Sequence, residues 1–369
     1  MSREHVAGAP LISMETRQEL SEKQLLDFRS HKRDILQRLA TFGKNPDKGE
    51  GYSETTIEQL TYQLGSFYRW VWEQEGQYTT KVTPDHADAY MKKIAYGDTT
   101  NGHKSTVMKC LKRLFKYRRH ELGENAEWDL DYSFSEPHSK PQDYLTADGR
   151  QAIREATLEY GSVPAYNSLS PEERDEWKAH LAQRFDKPKS DIGPTDFERA
   201  NGWKFASLTW ASLDTGFRPI EVKRARVSWI DVDNKTIRIP REDSSKNDEN
   251  WTVAISDRTA EALNRWLRER ENYERYSDID ALWLTREGKP YGRQALRRLL
   301  HRLCEITDIS VETRQMSWYT IRHSVGTYMA REEDLAAAAS QLRHKNPETT
   351  MKYDQAPVDD RWNALDRMG

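Results

Sequence analysis

The sequence predicts a mainly helical protein with one small antiparallel sheet, an α+β fold divided between two domains. Three observations lead to this prediction. Apolar residues recur at helical spacing through residues 20–123, and short segments of alternating pattern follow between residues 227 and 255. A polar stretch with two prolines, Glu136–Gln142, separates these regions, and 369 residues are too many for one small domain.

These boundaries divide the chain into four parts. We predict a mobile tail over 1–17, a helical domain over 18–131, a linker over 132–144 and a second domain over 145–369. In the helical domain Ser53 and the pair Thr83-Pro84 have the composition of helix starts, since a hydroxyl can accept from the first-turn amides. Thr146 is a similar cap for the first helix of the second domain.

The second domain alternates between helical and strand patterns. Residues 161–201 carry four prolines and many charges, which predicts a surface insertion with one helix over 171–185 and no readable function. Three strands are predicted at 227–232, 236–239 and 251–255. The predicted helices cover 203–213, 259–270, 294–304, 320–331 and 334–342.

The composition excludes several classes of protein. No apolar run approaches the length of a membrane span, and the first residues lack the pattern of a secretory signal, so we expect a cytoplasmic protein without membrane partners. Cys110 and Cys304 lie far apart without the neighbours of a zinc or redox site, so we expect buried, reduced thiols and no metal site. The net charge of −3 does not by itself indicate a nucleic-acid partner, because local clustering decides that question.

One helical segment is strongly basic. Residues 101–120 contain seven lysines and arginines and no acidic residue. The ordinary interpretation is a solvated helix face. The alternative is a surface that contacts DNA phosphates and releases counterions. The candidate residues are Lys104, Lys109, Lys112, Arg113, Lys116, Arg118 and Arg119.

Three short motifs of the second domain contain polar residues that are individually ordinary. Arg218 follows a Thr-Gly-Phe turn, where it could be a surface residue or could pair with Glu221 at i+3. Tyr319 and Arg322 share one helical face, which is also expected of an amphipathic helix with an arginine reaching solvent. The third motif has His344 at a helix end and Tyr353 nine residues later.

Together, the Thr-Gly-Phe-Arg box, the Arg-His-Ser helix, the Leu-Arg-His turn and the following tyrosine occur in an order that resembles the tyrosine recombinase (phage integrase) family, over roughly residues 20–360. The resemblance implies a helical core-binding domain followed by a catalytic domain. It implies that Arg218 and Arg322 bind the scissile phosphate, that Tyr353 is the nucleophile, and that His344 accepts the tyrosine proton or binds the phosphate.

A basic residue in the loop between the second and third strands is also implied by the resemblance. Lys246 matches this position and would protonate the departing 5′ oxygen. Its nearby competitors are Lys223, Lys235 and Arg241, which the loop position disfavours.

Two features depart from the family pattern. Tyr319 stands where the family often has histidine; a phenol with an ordinary pKa of roughly 10 can donate a hydrogen bond to phosphate but cannot be a cation near neutrality. The insertion at 161–201 lengthens the distance to Arg218.

The expected function is site-specific cleavage and rejoining of double-stranded DNA through a 3′-phosphotyrosyl intermediate, without metal, ATP or another cofactor. Two fixed guanidinium groups supply the charge that metal ions supply elsewhere. The alternatives are a catalytically silent DNA-binding regulator of the same fold and a type IB topoisomerase.

The C-terminal segment 357–369 predicts a short helix with Trp362, Leu365 and Met368 on one side. In related recombinases such a tail packs on a neighbouring subunit, so we expect a homo-oligomer, dimer to tetramer, assembled on DNA. Docking of the tail on its own chain is the alternative.

Overall fold

The structure is a computed structural model in which the chain forms two compact units, Met1–Lys140 and Pro141–Gly369. It describes all residues except 1–3, 7–8, 125–126, 135–142, 161–162, 245–248, 272, 313, 355–357 and 369. Much of the predicted linker and the predicted site residue Lys246 therefore lie outside the described residues. Each unit is described by itself below.

The first unit is a helical bundle with a short N-terminal hairpin. Its elements are β1 (His5–Val6), β2 (Ala9–Pro10), α1 (Met14–Glu19), α2 (Glu22–Phe42), α3 (Glu54–Glu75), α4 (Pro84–Tyr96) and α5 (Asn101–Glu121). The predicted helix starts are present: Ser53 precedes α3, and the Thr83 side chain accepts from the His86 amide ahead of α4. Pro84 occupies the first turn of α4, where no intrahelical N–H is needed.

The core of the first unit comes from the apolar faces of α2, α3 and α5. Phe28, Leu64, Phe67 and Leu114 are fully buried there. The buried apolar residues of the basic helix α5, among them Val107, Leu111 and Leu114, face this core, so the helix forms because its apolar side is covered and its charged side is solvated.

The described residues of the N-terminal segment, 4–6 and 9–17, pack against α2 and α3, where the sequence predicted a mobile tail. Ala9 and Leu11 are buried, and Glu4 forms a bidentate ion pair with Arg33 of α2. Arg69 of α3 donates to the Ser13 hydroxyl, which caps α1. These contacts are long-range and depend on side chains that lack a local periodic pattern.

The second unit combines eleven described helices with a three-stranded sheet. Its elements are α6 (Ala147–Glu159), α7 (Pro171–Phe185), α8 (Pro194–Ala200), α9 (Lys204–Thr215), α10 (Pro219–Arg224), β3 (Ile230–Asp231), β4 (Thr236–Ile239), β5 (Trp251–Ala254), α11 (Asp257–Arg270), α12 (Arg293–Ile306), α13 (Trp318–Glu332), α14 (Leu335–Leu342), α15 (Glu348–Met351) and α16 (Val358–Met368).

The sheet is antiparallel in the order β3-β4-β5. Ile237 of β4 pairs with Ile230 on one side and Val253 on the other, and both Ile237 and Val253 face the core. The predicted first strand is shorter than expected, because Val227–Trp229 form a 3-10 turn that buries the Trp229 ring. The prediction of a mainly helical α+β fold with a small antiparallel sheet is confirmed.

The segment 161–201 contains two helices, α7 and α8, rather than the one that we expected. Pro194 begins α8, and the Asp196 carboxylate accepts from the Gly193 amide, so the short helix has its own capping. Leu181 and Phe197 bury a small separate core beneath these helices.

Cys110 and Cys304 are both buried and free, as expected. Within the described part of the chain, no helix has both the length and the apolar character needed to cross a membrane.

Candidate active site

The site is organised around the turn between α9 and α10. Gly216 ends α9 with a φ of 61°, in the left-handed region that favours glycine. A Cβ at this position would lie 2.5 Å from Leu342 Cδ2, so only glycine lets α14 approach the turn. Arg218 then caps α10 in an extended conformation, with its side chain largely buried.

A carboxylate fixes the first guanidinium group. Glu221 is 1% exposed and accepts from Arg218 Nη1 at 2.8 Å and from Arg343 Nη2 at 2.8 Å. Burial alone would raise its pKa, but the Arg343 and Arg218 guanidinium groups lower the pKa to about 2. Glu221 is therefore a carboxylate at neutral pH that holds two arginines in place.

Arg343 was not identified from the sequence as part of the site. It sits at the C-cap of α14 with a positive φ of 58° and is only 1% exposed. Its guanidinium donates to the Thr215 carbonyl at 2.9 Å as well as to Glu221. The Leu-Arg-His motif contained this residue, but a contact across 122 positions carries no local signal.

Arg322 is the second predicted guanidinium group, on α13. It donates through Nη1 to the Gly216 carbonyl at 2.7 Å and through Nη2 to the Leu342 carbonyl and to His344 Nε2, the last at 2.9 Å. Burial, followed by the like charges of Arg218 and Arg343, lowers the pKa of Arg322 to about 9. The structure thus brings three guanidinium groups together in a poorly solvated position, where an anion would be strongly attracted.

His344 lies between Arg322 and α15. A guanidinium can only donate, so Nε2 is the acceptor and the ring proton is assigned to Nδ1, which contacts Thr350 Oγ1 at 2.9 Å. Burial and the nearby charge of Arg322 lower the pKa of His344 to about 3. This histidine is therefore neutral at physiological pH.

Tyr353 follows α15 and is 5% exposed. Its ring is parallel to that of His344, at an angle of 4° and a centroid distance of 6.2 Å. Burial raises the pKa of Tyr353 to about 12, although Arg322 and Arg218 act in the opposite direction. The phenol is therefore protonated at neutral pH, and any attack by its oxygen requires a proton acceptor.

His323 is a site residue for which the sequence indicated no role. Its Nδ1 lies 3.0 Å from the hydroxyl oxygen of Tyr353, and burial lowers the pKa of the imidazole to about 3. The ring is therefore neutral. The Arg-His-Ser motif contained this residue, but only the position of Tyr353 in space reveals the contact.

Tyr353 also depends on a glycine of α13. A Cβ on Gly326 would lie 2.5 Å from Tyr353 Cζ and 2.6 Å from Cε2. The ring therefore occupies the space that any side chain at position 326 would fill. This contact explains the absence of a side chain in the middle of a buried helix, where glycine is otherwise unfavourable.

Tyr319 lies one turn before His323 on α13 and is half-buried. The two rings are nearly parallel, at 29° with a centroid distance of 6.5 Å. The position that departs from the family pattern therefore flanks the histidine that contacts Tyr353.

Lys246 lies outside the described residues, in the segment that joins β4 and β5. Of the competitors, Lys235 forms an ion pair with Asp257 at 2.5 Å and has a φ of 52° in the turn between β3 and β4. Lys223 is an exposed residue of α10, and Arg241 begins a 3-10 turn after β4.

Some basic side chains of helix α5 are exposed, and others are buried or paired. Lys109 and Lys116 are exposed. Arg118 is buried and pairs with Glu124. The other four candidates have these partners: Lys104 donates to the Ala95 carbonyl, Lys112 pairs with Asp129, Arg113 stacks on Tyr52, and Arg119 pairs with Glu127.

A second basic face, on α12, was missed from the sequence. Arg293, Arg297 and Arg298 are exposed there, while Leu296, Leu299, Leu300 and Leu303 bury the opposite side. The arginines at i, i+4 and i+5 share the polar side of one helix; Arg297 and Arg298 belong to the predicted segment 294–304, and Arg293 directly precedes it.

The chain is similar in sequence to known proteins. The sequence model of the phage integrase family matches residues 199–358. The type 1 fimbriae regulatory protein FimB of Escherichia coli strain K12 is 29% identical over 147 residues, which cover 40% of this chain and 70% of that protein.

Solved structures share the fold at low sequence identity. A crystal structure of the XerH site-specific recombinase bound to its difH substrate, in a pre-cleavage complex, has a TM-score of 0.56 and 14% identity, covering 93% of this chain and 88% of that chain. A λ integrase (75–356) dimer bound to a COC′ core site has a TM-score of 0.50 and 13% identity, covering 88% and 95%.

Proposed function

Because residues 199–358 belong to the phage integrase family of tyrosine recombinases, we propose that this protein is a site-specific recombinase that cleaves and rejoins double-stranded DNA through Tyr353. The observation that carries the proposal is the convergence of Arg322 and His344, joined by a 2.9 Å hydrogen bond, beside the Tyr353 ring. Arg218 completes the set through its contact with Glu221.

Arg218 and Arg322 would bind the scissile phosphate. The transition state of phosphoryl transfer carries extra negative charge on the non-bridging oxygens, and planar guanidinium groups match that charge with paired hydrogen bonds. Both arginines are held by groups of the protein, Glu221 and two backbone carbonyls, so little reorganisation accompanies the reaction. The mutual repulsion of these cations favours an anionic ligand.

In the cleavage step, Tyr353 Oη forms a bond to phosphorus and the bond from phosphorus to the 5′ oxygen breaks. The tyrosine proton passes to an imidazole, for which His323 is already within 3.0 Å of Oη and His344 is the alternative. Lys246 would supply a proton to the departing 5′ oxygen. The product is a 3′-phosphotyrosyl bond and a free 5′ hydroxyl.

Rejoining reverses these steps. The 5′ hydroxyl of another strand attacks phosphorus, and Tyr353 leaves with its proton restored. One phosphodiester is replaced by another of nearly equal energy, so the protein needs no ATP, and the arginines supply the charge for which other enzymes use metal ions. Tyr319 would donate a hydrogen bond to a phosphate oxygen or hold the His323 ring, on which it stacks.

Two exposed basic surfaces would bind the DNA backbone. Lys109 and Lys116 of α5 project from the first unit. In the second unit, Arg293, Arg297 and Arg298 of α12 form the other surface. Each phosphate contact releases counterions, which supplies affinity without sequence information.

The C-terminal helix α16 would join copies of the protein on DNA. Trp362, Leu365 and Met368 are 58%, 61% and 81% exposed, so this one helix presents three large apolar side chains to solvent. Burial against a second subunit would remove this area from water, which supports self-association of the protein on DNA.

A catalytically silent DNA-binding regulator is the second candidate, favoured by the name of the E. coli relative, which describes a regulatory protein. The complete set of Arg218, Arg322, His344 and Tyr353 argues against it, because binding alone does not require a buried nucleophile.

The decisive test is covalent capture. Wild-type protein is incubated with sheared DNA of its host, denatured, and assayed for DNA that remains attached; sequencing of that DNA then identifies the site. A nicked substrate containing the site is expected to give a covalent complex with wild type and none with Tyr353→Phe. Tyr328→Phe, on α13, is the matched control and retains the complex.

An adduct that persists in Tyr353→Phe contradicts the assignment of the nucleophile. Site-specific binding without any adduct, under metal-free or metal-containing conditions, supports the silent regulator instead.

A further inference from the structure

The second unit contains a cavity that is separate from the candidate active site. It has a volume of about 370 Å³, within the range of small-molecule sites. Its walls come from the end of α7, the end of α8, the start of α9 and the segment after α11. The insertion at 161–201, which the proposed recombinase chemistry does not use, therefore builds one side of it.

The cavity has a strong excess of positive charge. Five cations line it: Arg184, Arg199, Lys204, Arg275 and Arg286. The carboxylate within the same lining is Glu269, which accepts from the Trp203 amide and from the Tyr273 hydroxyl. Asp186 and Glu287 line the adjoining cavity, which shares Arg184, Arg199, Arg275 and Arg286 with this one, so they offset part of the charge and leave the cations in excess.

These cations repel one another. Burial, followed by the charges of Arg275 and Arg184, lowers the pKa of Lys204 to about 8. Burial also lowers the pKa of Arg184, and Arg286 adds to that effect. A cluster of this kind is unfavourable when empty and is stabilised by a bound anion.

Aromatic rings stand between the cations. Arg199 lies over the Tyr273 ring at 4.4 Å and over Phe185 at 5.0 Å, and Lys204 lies over Phe205 at 4.8 Å. Tyr160 and Tyr276 complete the apolar part of the wall. A cation lies over one face of Tyr273, Phe185 and Phe205, so the wall presents aromatic rings next to guanidinium groups, and both kinds of group pack against planar bases.

We propose that this cavity binds a free nucleotide, with its phosphates against Lys204, Arg184 and Arg275 and its base against the aromatic wall. The cavity lies at the amino end of α9, while Gly216 and Arg218 follow its carboxyl end. A helix of 12 residues separates them by about 18 Å. The cavity is therefore spatially separate from the candidate active site, and its proposed ligand goes beyond the proposed function.

ATP is the probe, and binding to the full-length protein is measured by isothermal titration calorimetry. We expect ATP to bind more tightly than adenosine, which lacks the phosphates, and more tightly than inorganic triphosphate, which lacks the base. Lys204→Met keeps the side-chain length and is expected to weaken ATP binding at least tenfold. Lys189→Met, which alters an exposed residue of the insertion outside the cavity, is the matched control with unchanged affinity.

Thermal unfolding without ligand gives a second readout. Removal of the Lys204 charge relieves repulsion, so Lys204→Met is expected to raise the Tm of the free protein while it reduces the increase caused by ATP. A lower Tm in the free variant indicates that Lys204 only packs the wall and contradicts the electrostatic argument.

Three further results overturn the proposal: no heat of binding at millimolar ATP, equal affinity in wild type and Lys204→Met, or equal binding of inorganic triphosphate and ATP. Displacement of ATP by short duplex DNA, with an affinity that also depends on Lys204, assigns the site to the DNA backbone instead of a free nucleotide.

Discussion

The candidate active site and the basic helix α5 use the same kinds of side chain in opposite ways. Arg322 and Arg343 are buried, and backbone carbonyls and Glu221 determine where their charges lie. Lys109 and Lys116 are exposed to solvent. The first arrangement can stabilise one transition state, whereas the second can only attract a polyanion. Burial and fixed partners, not the number of cations, therefore separate a proposed catalytic role from a binding role.

The largest effect is expected when a fixed charge is altered. Arg322→Lys keeps a cation but loses the planar fork, and we expect the rate of covalent complex formation to fall about 1,000-fold while DNA binding is retained. Gel-based single-turnover cleavage and binding assays measure the two properties. Arg331→Lys, an exposed residue of the same helix, is the control with normal cleavage. Equal losses of DNA binding and cleavage in Arg322→Lys would show that Arg322 contributes mainly to binding, as the exposed lysines of α5 do, and would contradict its catalytic role.

A smaller loss is expected when the nucleophile is displaced by a single methyl group. In Gly326→Ala the new Cβ would be 2.5 Å from Tyr353 Cζ, so the ring must move. A displacement of about 1 Å costs on the order of 100-fold in rate. Single-turnover cleavage of the nicked substrate measures this loss, and DNA affinity is expected to stay normal.

Gly102→Ala is the matched glycine substitution, because a Cβ there meets only Thr100 Oγ1 at 4.0 Å. It lies in the first turn of the basic helix and is expected to leave cleavage unchanged. Wild-type cleavage by Gly326→Ala would mean that Tyr353 does not react from this position.

Glu221 links the geometry of the site to stability. In Glu221→Gln two buried guanidinium groups lose their counter-charge, and we expect a loss of about 3–5 kcal/mol in the free energy of unfolding. Urea unfolding at neutral pH measures it. Glu305→Gln removes an exposed i,i+3 pair and is expected to change little.

The contribution of Glu221 to the free energy of unfolding is expected to depend on pH. The folded pKa of Glu221 is about 2, below its ordinary value of 4.5, so its stabilisation is complete above pH 4.5 and is lost as pH falls toward 2. Glu221→Gln is expected to have a flatter profile over that range. An unchanged slope would show that the Glu221 pKa is not depressed in the folded state.

The contrast between the two regions also explains what the sequence could predict. Helix starts such as Thr83-Pro84 and Thr146 were correct because capping depends on neighbours within three residues. The pairing of Glu221 with Arg218 was recognised as an alternative for the same reason. The contact of His323 with Tyr353 was not predicted, because it joins residues 30 positions apart.

Helical periodicity in the sequence also does not predict which charged residues are buried. Arg118 belongs to the basic run of α5, yet its guanidinium is directed inward to Glu124 and the Thr80 carbonyl. The packed N-terminal hairpin and the second helix of the insertion were missed because each rests on tertiary contacts rather than on a repeating pattern. Spacing in sequence identifies a face of a helix but not what covers it.

The smallest effect is expected for the exposed lysines of α5. Lys109→Ala combined with Lys116→Ala should weaken DNA binding about tenfold at moderate salt. It should also reduce the slope of log affinity against log salt by roughly 2, about 0.9 for each phosphate that the variant no longer neutralises. The cleavage rate of the bound complex should not change, because these lysines do not position the scissile phosphate. Lys44→Ala, an exposed lysine outside α5, is the control. A reduced cleavage rate at saturating protein would show that the exposed face also positions the DNA, and an unchanged salt slope would remove α5 from the DNA interface.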